Sequence, residues 1–177
     1  DLNTAGVAFH QARLQGLLQN RKALEDWTRK HPEIAEETLL APIVIVGLPR
    51  TGTTLLHRTI ATDTGLMAPL WYEVRQPAPI DMNFVSDDGR IAIAKAEVDA
   101  MLAAMPGLAA IHPIDAIAPD EEIMLLEHSF ISTVPECYAS IPNYGEALYA
   151  QDPSASYDYL YKMLQFLQWQ KRHKGEL

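Results

Sequence analysis

The segment Gly47-Leu-Pro-Arg50-Thr-Gly52-Thr-Thr54 combines glycines, hydroxyls and a single cation directly after a β-branched run. Backbone N–H groups at the start of a helix have no intrahelical partner and carry partial positive charge, so a glycine turn that opens a helix binds phosphate or sulfate. The glycines let the backbone approach the anion, and the threonine hydroxyls add donors. The segment therefore predicts an anion-binding loop; the alternative is an ordinary strand-to-helix turn.

This loop differs from the usual nucleotide loop at one position. Gly47 and Gly52 have the spacing of G-x-x-x-x-G-K-[ST], but Thr53 occupies the lysine position and Arg50 is the cation of the loop. The lysine that contacts the β- and γ-phosphates of ATP is therefore missing. A guanidinium binds phosphate or sulfate oxygens with paired donors; the alternative role for Arg50 is a solvated loop charge.

The sequence Gly47-Leu-Pro-Arg-Thr-Gly-Thr-Thr-Leu-Leu-His57 resembles the 5′-phosphosulfate loop of sulfotransferases that use 3′-phosphoadenosine 5′-phosphosulfate (PAPS). It is similar to the bacterial and tyrosylprotein-like branch, in which arginine replaces the lysine of Pro-Lys-Ser-Gly-Thr-Thr. The resemblance extends from about residue 41 to the end of the chain. It implies that PAPS is held by the loop residues Pro49, Arg50, Thr51, Gly52, Thr53 and Thr54.

A second segment, Ala68-Pro-Leu-Trp-Tyr-Glu73-Val-Arg75, resembles the region of that family in which a glutamate serves as catalytic base. The resemblance implies that Glu73 accepts the proton of the hydroxyl, with Arg50 neutralising charge on the bridging oxygen. Without the resemblance, Glu73 is more typical of a surface residue than of a catalytic one. Arg75 is expected on the same strand face, either holding Glu73, contacting the cofactor or forming a structural ion pair.

A third segment, residues 111–127, resembles a block that the bacterial members carry. It contains His112, which is a rival candidate for the base because histidine titrates near neutrality, or else a polar cap at the His112-Pro113 turn. Trp71, Arg75 and His112 are also candidate contacts for the acceptor. The aromatic and methionine content of this region favours a partly apolar alcohol, phenol or lipid, although such residues are more often core.

These observations predict transfer of a sulfuryl group from PAPS to a hydroxyl of a small molecule or lipid. One alternative is a P-loop small-molecule kinase, which needs Mg²⁺ and the loop lysine that Thr53 replaces. Another alternative is a non-catalytic nucleotide-binding module. No metal is expected, because the six histidines are scattered without a metal-ligand spacing.

Composition narrows the class of protein. The 177 residues, 48% of them hydrophobic, are enough for one domain with a core. A net charge of -9 argues against a nucleic-acid-binding protein, and the apolar runs fall short of a membrane span. A single cysteine, Cys137, and the lack of a signal-peptide pattern favour the cytoplasm. The sequence does not indicate the oligomeric state.

The elements expected around the loop define an α/β fold. The run at residues 43–46 predicts a buried parallel strand, residues 53–62 a helix, and residues 66–74 a second strand. We therefore expect a parallel sheet of the P-loop nucleotide-binding type, flanked by helices, with the ligand at the carboxyl end of the first strand.

The remaining sequence predicts helices. One covers residues 4–27, one follows Gly89, one begins near Pro119, and a long one begins after Asp152-Pro153 with a buried stripe. That stripe is predicted to comprise Tyr157, Leu160, Tyr161, Leu164 and Leu167. The run Lys171-Arg-His-Lys174 is typical of a solvated helix end, or else it steers anions.

These helices fix the expected domain organisation. Residues 1–40 form a helical lead-in, and residues 41–177 form the N-terminal part of one sulfotransferase domain, with a large helical insertion at about residues 85–170. By the resemblance, the residues that bind the 3′-phosphate of PAPS lie outside this sequence, so we expect the chain to be an incomplete part of the fold.

Overall fold

The structure is a computed structural model that describes residues 3–48, 50–81 and 89–173. Its regular elements are helical. Two 3₁₀ segments cover Pro32–Glu36 and Glu127–Ser129. The α-helices are, in chain order, α1 (Thr4–Lys30), α2 (Thr53–Ile60), α3 (Trp71–Arg75), α4 (Arg90–Ala104), α5 (Leu108–Ile111), α6 (Ile123–Leu126), α7 (Val134–Tyr138), α8 (Pro142–Ala150) and α9 (Ser154–His173).

The first helix confirms the prediction for residues 4–27 and extends three residues further. Asn3 caps its start, because the Asn3 side chain accepts a hydrogen bond of 2.8 Å from the Gly6 N–H. Arg29 and Lys30 lie in the last turn, where cations favour the helix dipole, and Pro32 prevents continuation.

The last helix starts as predicted, with Asp152 Oδ1 accepting a 3.0 Å hydrogen bond from the Ser154 N–H. Its buried stripe is rotated relative to the prediction, because Tyr157 and Tyr161 are exposed. The buried stripe faces Trp27 of α1, whose ring centroid lies 6.0 Å from Phe166 and 5.9 Å from Trp169. The core side chains of α9 are Leu160, Met163, Phe166, Leu167 and Trp169.

The predicted parallel sheet is wrong: across residues 3–48, 50–81 and 89–173 there is no strand, and the one bridge is an isolated antiparallel pair between Leu70 and Pro119. Residues 43–46 lie outside any helix or strand, and Val46 is 88% exposed. A strand forms only when a neighbouring segment accepts and donates its ladder hydrogen bonds. None of the described segments does so for residues 43–46.

The second predicted strand is also wrong, because residues 71–75 form α3. Its first turn is closed by Glu73, whose Oε2 accepts a 2.8 Å hydrogen bond from the Leu70 N–H. The start of α3 is attached to residues 116–120, since the N–H groups of Trp71 and Tyr72 donate to the carbonyls of Ala118 and Ala116 at 2.9 and 3.0 Å. Asp120 returns a bond of 2.9 Å from its N–H to the Pro69 carbonyl.

The helix predicted after Gly89 is confirmed as α4, whereas the one expected near Pro119 begins only at Ile123 and is four residues long. Arg90 connects these parts: it is buried and donates to the carbonyls of Gln76 and Pro77 at 3.1 and 2.9 Å and to Gln170 Oε1 at 3.2 Å. In the part of the chain that the structure describes, no helix is both long and apolar enough to cross a bilayer.

Candidate active site

The predicted anion loop leads directly into α2. Gly52 is the N-cap residue and has φ 92°, in the left-handed region that glycine adopts without strain. Arg50 also has a positive φ of 66°. The first turn of α2 contains no acidic residue and receives no side-chain cap, so its amides remain available to an anion. Pro49, the first residue of the predicted binding set, lies outside the described residues.

The interior of the loop is tightly folded around Gly47. A Cβ at Gly47 would lie 2.9 Å from Thr53 Cγ2 and 3.1 Å from Thr51 Oγ1. The Thr51 hydroxyl donates a 2.6 Å hydrogen bond to the Leu48 carbonyl, which holds the turn closed. A Cβ at Gly52, in contrast, would meet no atom of the described residues within 4 Å. The loop is therefore packed against itself at Gly47 and open at Gly52.

Two arginines hold the loop and α2 against the segment that contains His112. Arg50 donates from Nη1 to the Ile111 carbonyl, and Arg58 donates from Nη2 to the Pro113 carbonyl at 2.8 Å. His112 lies between these two anchored carbonyls. The structure thus brings His112 beside the loop, which sequence spacing could not indicate. From sequence alone, Arg58 is expected only to pack or cap on its own helix, and its contact with residue 113 is visible only in the fold.

Asp120 is a buried carboxyl group near Arg58 and His112, and it is not among the site residues predicted from the sequence. Burial raises its pKa above the usual value. A 2.6 Å hydrogen bond from the Glu121 N–H and the neighbouring side chains of His112, Arg58 and His57 act in the opposite direction. The sequence predicts a helix start near Pro119, and only burial in the fold distinguishes Asp120 from an ordinary residue of such a start.

Glu73 is 4% exposed and has three polar neighbours. Its Oε2 accepts from the Leu70 N–H at 2.8 Å and lies 3.0 Å from Lys171 Nζ, and its Oε1 accepts from the Tyr72 hydroxyl at 3.2 Å. The carboxylate is therefore oriented by two elements, α3 and α9. Lys171 is a contact that the sequence analysis missed, because its basic run was interpreted by charge alone.

Arg75 does not contact Glu73. Arg75 instead forms the structural ion pair that was one of its three expected roles. Its partner is Glu97 of α4, and the Arg75 Nε lies 3.0 Å from Glu97 Oε1. The two residues were expected on one face of a strand, but in the helix α3 residues at i and i+2 do not face each other.

Trp71 is buried in a second apolar cluster, with Tyr72, Ala94, Val98 and Ala116. Its indole Nε1 is buried and has no hydrogen-bond partner among the described residues. Buried indole N–H groups usually have an acceptor, so this atom is an unusual feature of the site. Within the described ranges, no group of three or more His, Cys, Asp or Glu side chains is arranged to hold a metal ion.

Comparison with known proteins identifies the family. The sequence profile of the sulfotransferase family matches residues 42–166, which include the loop, α3 and most of α9. The chain therefore belongs to the sulfotransferase family. Among curated protein sequences, none matches this sulfotransferase chain.

Two crystal structures have the same fold as this sulfotransferase chain. Sulfotransferase STF1 from Mycobacterium tuberculosis H37Rv superposes with a TM-score of 0.79 and 26% identity, over 99% of this chain and 47% of STF1. Sulfotransferase STF9 from Mycobacterium avium superposes with a TM-score of 0.77 and 23% identity, over 95% of this chain and 44% of STF9. The chain thus spans about half the length of these two proteins.

Proposed function

We propose that this sulfotransferase moves a sulfuryl group from PAPS to a hydroxyl of a small molecule or lipid. The observation that carries the proposal is the loop at residues 47–54, which is open at Gly52 and leads into a helix whose first turn has no acid. Family membership supports the reaction class, and the loop geometry supports the donor. We further propose that residues 41–177 supply the part of the domain that holds the 5′-phosphosulfate.

The loop suits a phosphosulfate for two physical reasons. The amides at the start of α2 offer hydrogen bonds and a partial positive charge. The positive φ of Gly52 and the empty space beside its Cα leave room for anionic oxygens where another residue would place a side chain. When bound, PAPS supplies the sulfuryl group. The rest of the molecule, 3′-phosphoadenosine 5′-phosphate (PAP), is the leaving group and takes the negative charge of the broken bond.

The proposed reaction requires one base, which removes the proton of the acceptor hydroxyl. Glu73 accepts the proton of the acceptor hydroxyl, the acceptor oxygen bonds to sulfur, and the bond between sulfur and the bridging oxygen of PAPS breaks. Arg50 neutralises the negative charge that grows on the bridging oxygen, which requires its guanidinium to exchange the Ile111 carbonyl for the anion. Positioning and charge stabilisation account for most of the rate, as in phosphoryl transfer.

Gly52→Val tests the donor site in the protein with its full natural sequence. A branched Cβ would occupy the open space and strain the left-handed backbone, so PAP affinity measured by calorimetry should be lost. Gly89→Val is the matched control, because Gly89 has φ 84° and equally open surroundings but caps α4. It should keep wild-type affinity for PAP.

Other results would reject the proposal. Wild-type PAP affinity in Gly52→Val would mean that the loop is not the donor site. Binding of ATP that depends on Mg²⁺, without a preference for PAP, would favour a small-molecule kinase. Binding of PAP without transfer to any of a panel of alcohols, phenols and lipids would favour a nucleotide-binding module.

A further inference from the structure

Lys171 at the end of α9 reaches across the fold to α3. Its ammonium lies 3.0 Å from Glu73 Oε2 and donates a 2.8 Å hydrogen bond to the Ala68 carbonyl. The side chains of the pair are 17% and 5% exposed, for Lys171 and Glu73 respectively. An ion pair this far from water is screened little, so removal of one partner leaves the other charge buried without compensation.

Arg172, the neighbouring cation at the end of α9, has a different contact. Arg172 Nη1 lies 2.9 Å from Glu37 Oε2, on the segment that precedes the loop, and the Arg172 side chain is half exposed. At the end of α9, Lys171 therefore contacts Glu73, and the next residue, Arg172, contacts Glu37. The contact of Lys171 is specific to its position and does not follow from the basic run as a whole.

The two oxygens of Glu73 are used unequally. Oε2 receives both the Leu70 N–H and the Lys171 ammonium, whereas Oε1 has one hydrogen bond among the described residues, 3.2 Å long, from the Tyr72 hydroxyl. A carboxylate offers about four acceptor positions, so Oε1 retains capacity for another proton donor. Oε2 is the anchored oxygen, and Oε1 is the oxygen that can receive a proton.

We propose that Lys171 is a positioning residue that fixes the Glu73 carboxylate through Oε2, so that Oε1 takes the proton of the acceptor. This inference rests on the proposed function, in which Glu73 is the base. Lys171 does not contact the reacting atoms in this arrangement. It acts through Glu73.

The Lys171–Glu73 pair lies among other charged and titratable groups, which influence the effect of a substitution at Lys171. Arg75 forms an ion pair with Glu97, and Arg90 lies over the Tyr72 ring with 5.3 Å between Cζ and the ring centroid. An ammonium beside a carboxylate favours its charged form, so loss of the ammonium favours the protonated form. Other charged or titratable groups on α3 or near it include Arg13, Tyr72, Arg75, Arg90, Glu97, Asp120 and His128.

Lys171→Gln tests the inference in the full-length enzyme, because glutamine keeps a donor for the Ala68 carbonyl but has no charge. We expect kcat at neutral pH to fall by about tenfold, the acid limb of the kcat profile to move up by about one pH unit, and PAP affinity to stay unchanged. Arg172→Gln is the matched control, since it removes the adjacent ion pair and should leave the profile unchanged. A purely structural role for Lys171 would lower stability without moving the acid limb.

Glu73→Gln, measured in parallel, separates the two proposals. If Glu73→Gln keeps wild-type turnover, Glu73 is not the base, and the positioning role of Lys171 is rejected as well. If Glu73→Gln loses turnover while Lys171→Gln keeps the wild-type kcat and pH profile, Glu73 remains the proposed base, and the inference about Lys171 is overturned.

A second variant covers the case in which Lys171→Gln does not fold. Lys171→Arg keeps the charge but moves the donor, because a guanidinium is planar and larger than an ammonium. We expect the acid limb to stay in place and kcat to fall by about threefold. Wild-type kcat in Lys171→Arg would overturn the positioning role.

Discussion

Arg50 donates a hydrogen bond from Nη1 to the main-chain carbonyl of Ile111, so the cation of the anion loop is held against the segment that leads to His112. Arg58 makes the equivalent contact one turn into α2, with the Pro113 carbonyl. The loop and residues 111–113 therefore behave as one unit. A bound anion competes with a neutral carbonyl for Arg50, and a charged acceptor makes the stronger hydrogen bond.

Arg50→Ala should reduce sulfuryl transfer more than it reduces PAP binding. The charge of Arg50 matters most when the bridging oxygen becomes negative, and loss of one such contact costs about 10²- to 10³-fold in rate. Steady-state kcat and calorimetric PAP affinity, measured on the same preparation, check this expectation. Arg58→Ala is the control, because it removes the neighbouring anchor to residue 113 but leaves the loop intact. An unchanged kcat in Arg50→Ala would exclude the proposed role.

Glu73→Gln should lower kcat by about 10²- to 10⁴-fold and remove the acid limb of the pH profile, because glutamine cannot accept the proton of the hydroxyl. The substitution keeps an oxygen for the Leu70 N–H, so α3 should keep its first turn. PAP affinity should change little. The pH dependence of kcat provides the measurement.

His112→Asn is the comparison for that experiment, because His112 lies beside the loop and an imidazole can act as a general base. We expect it to retain most of the turnover. If His112→Asn abolished turnover and Glu73→Gln did not, the base would be His112, and Glu73 would be a structural residue that closes α3.

The sequence predicts the parts of the site that are local. Gly52 and the threonines reveal the loop because a helix N-terminus and its turn are built from consecutive residues. The caps of α1 and α9 are equally local, since Asn3 and Asp152 bond amides two or three residues away. Such features depend on the backbone of a few neighbours, and the sequence contains all of them.

The parts that the sequence does not predict depend on distant partners. Residues 43–46 have strand propensity but no ladder partner among the described residues, so propensity alone misled the prediction. The place of residues 66–74 in the pattern predicts a strand, whereas residues 71–75 form a helix whose first turn is capped by the hydrogen bond from the Leu70 N–H to Glu73. The contact of Lys171 with Glu73 joins α9 to α3, and no spacing rule connects them.

His128 is the buried group whose titration should affect the stability of this fold. Its Nε2 lies 3.0 Å from Asn20 Nδ2, and its Nδ1 lies 3.1 Å from the Met124 carbonyl. A neutral ring protonated on Nδ1 satisfies both contacts, because Nδ1–H donates to the carbonyl and Nε2 accepts from the amide. A second proton on Nε2 would face the Asn20 N–H donor. Burial accordingly lowers the pKa of His128 from 6.5 to about 4.

The folded protein therefore binds fewer protons at His128 than the unfolded chain does between about pH 6.5 and pH 4. The free energy of unfolding should be highest above pH 6.5 and fall as the pH falls through this window, with a contribution from His128 of about 3 kcal/mol. Urea unfolding of wild type and His128→Gln at pH 7.5 and pH 4.5 measures this contribution as the difference between their pH dependences, because the carboxylates titrate in both. His10→Gln is the control, because it also replaces a histidine but lies in α1 away from Asn20. It should keep the wild-type pH dependence of the free energy of unfolding. Equal loss of stability in wild type and His128→Gln would show that His128 gains its proton as readily in the folded protein as in the unfolded chain. Its contacts with Asn20 of α1 and with the Met124 carbonyl would then not select the neutral ring.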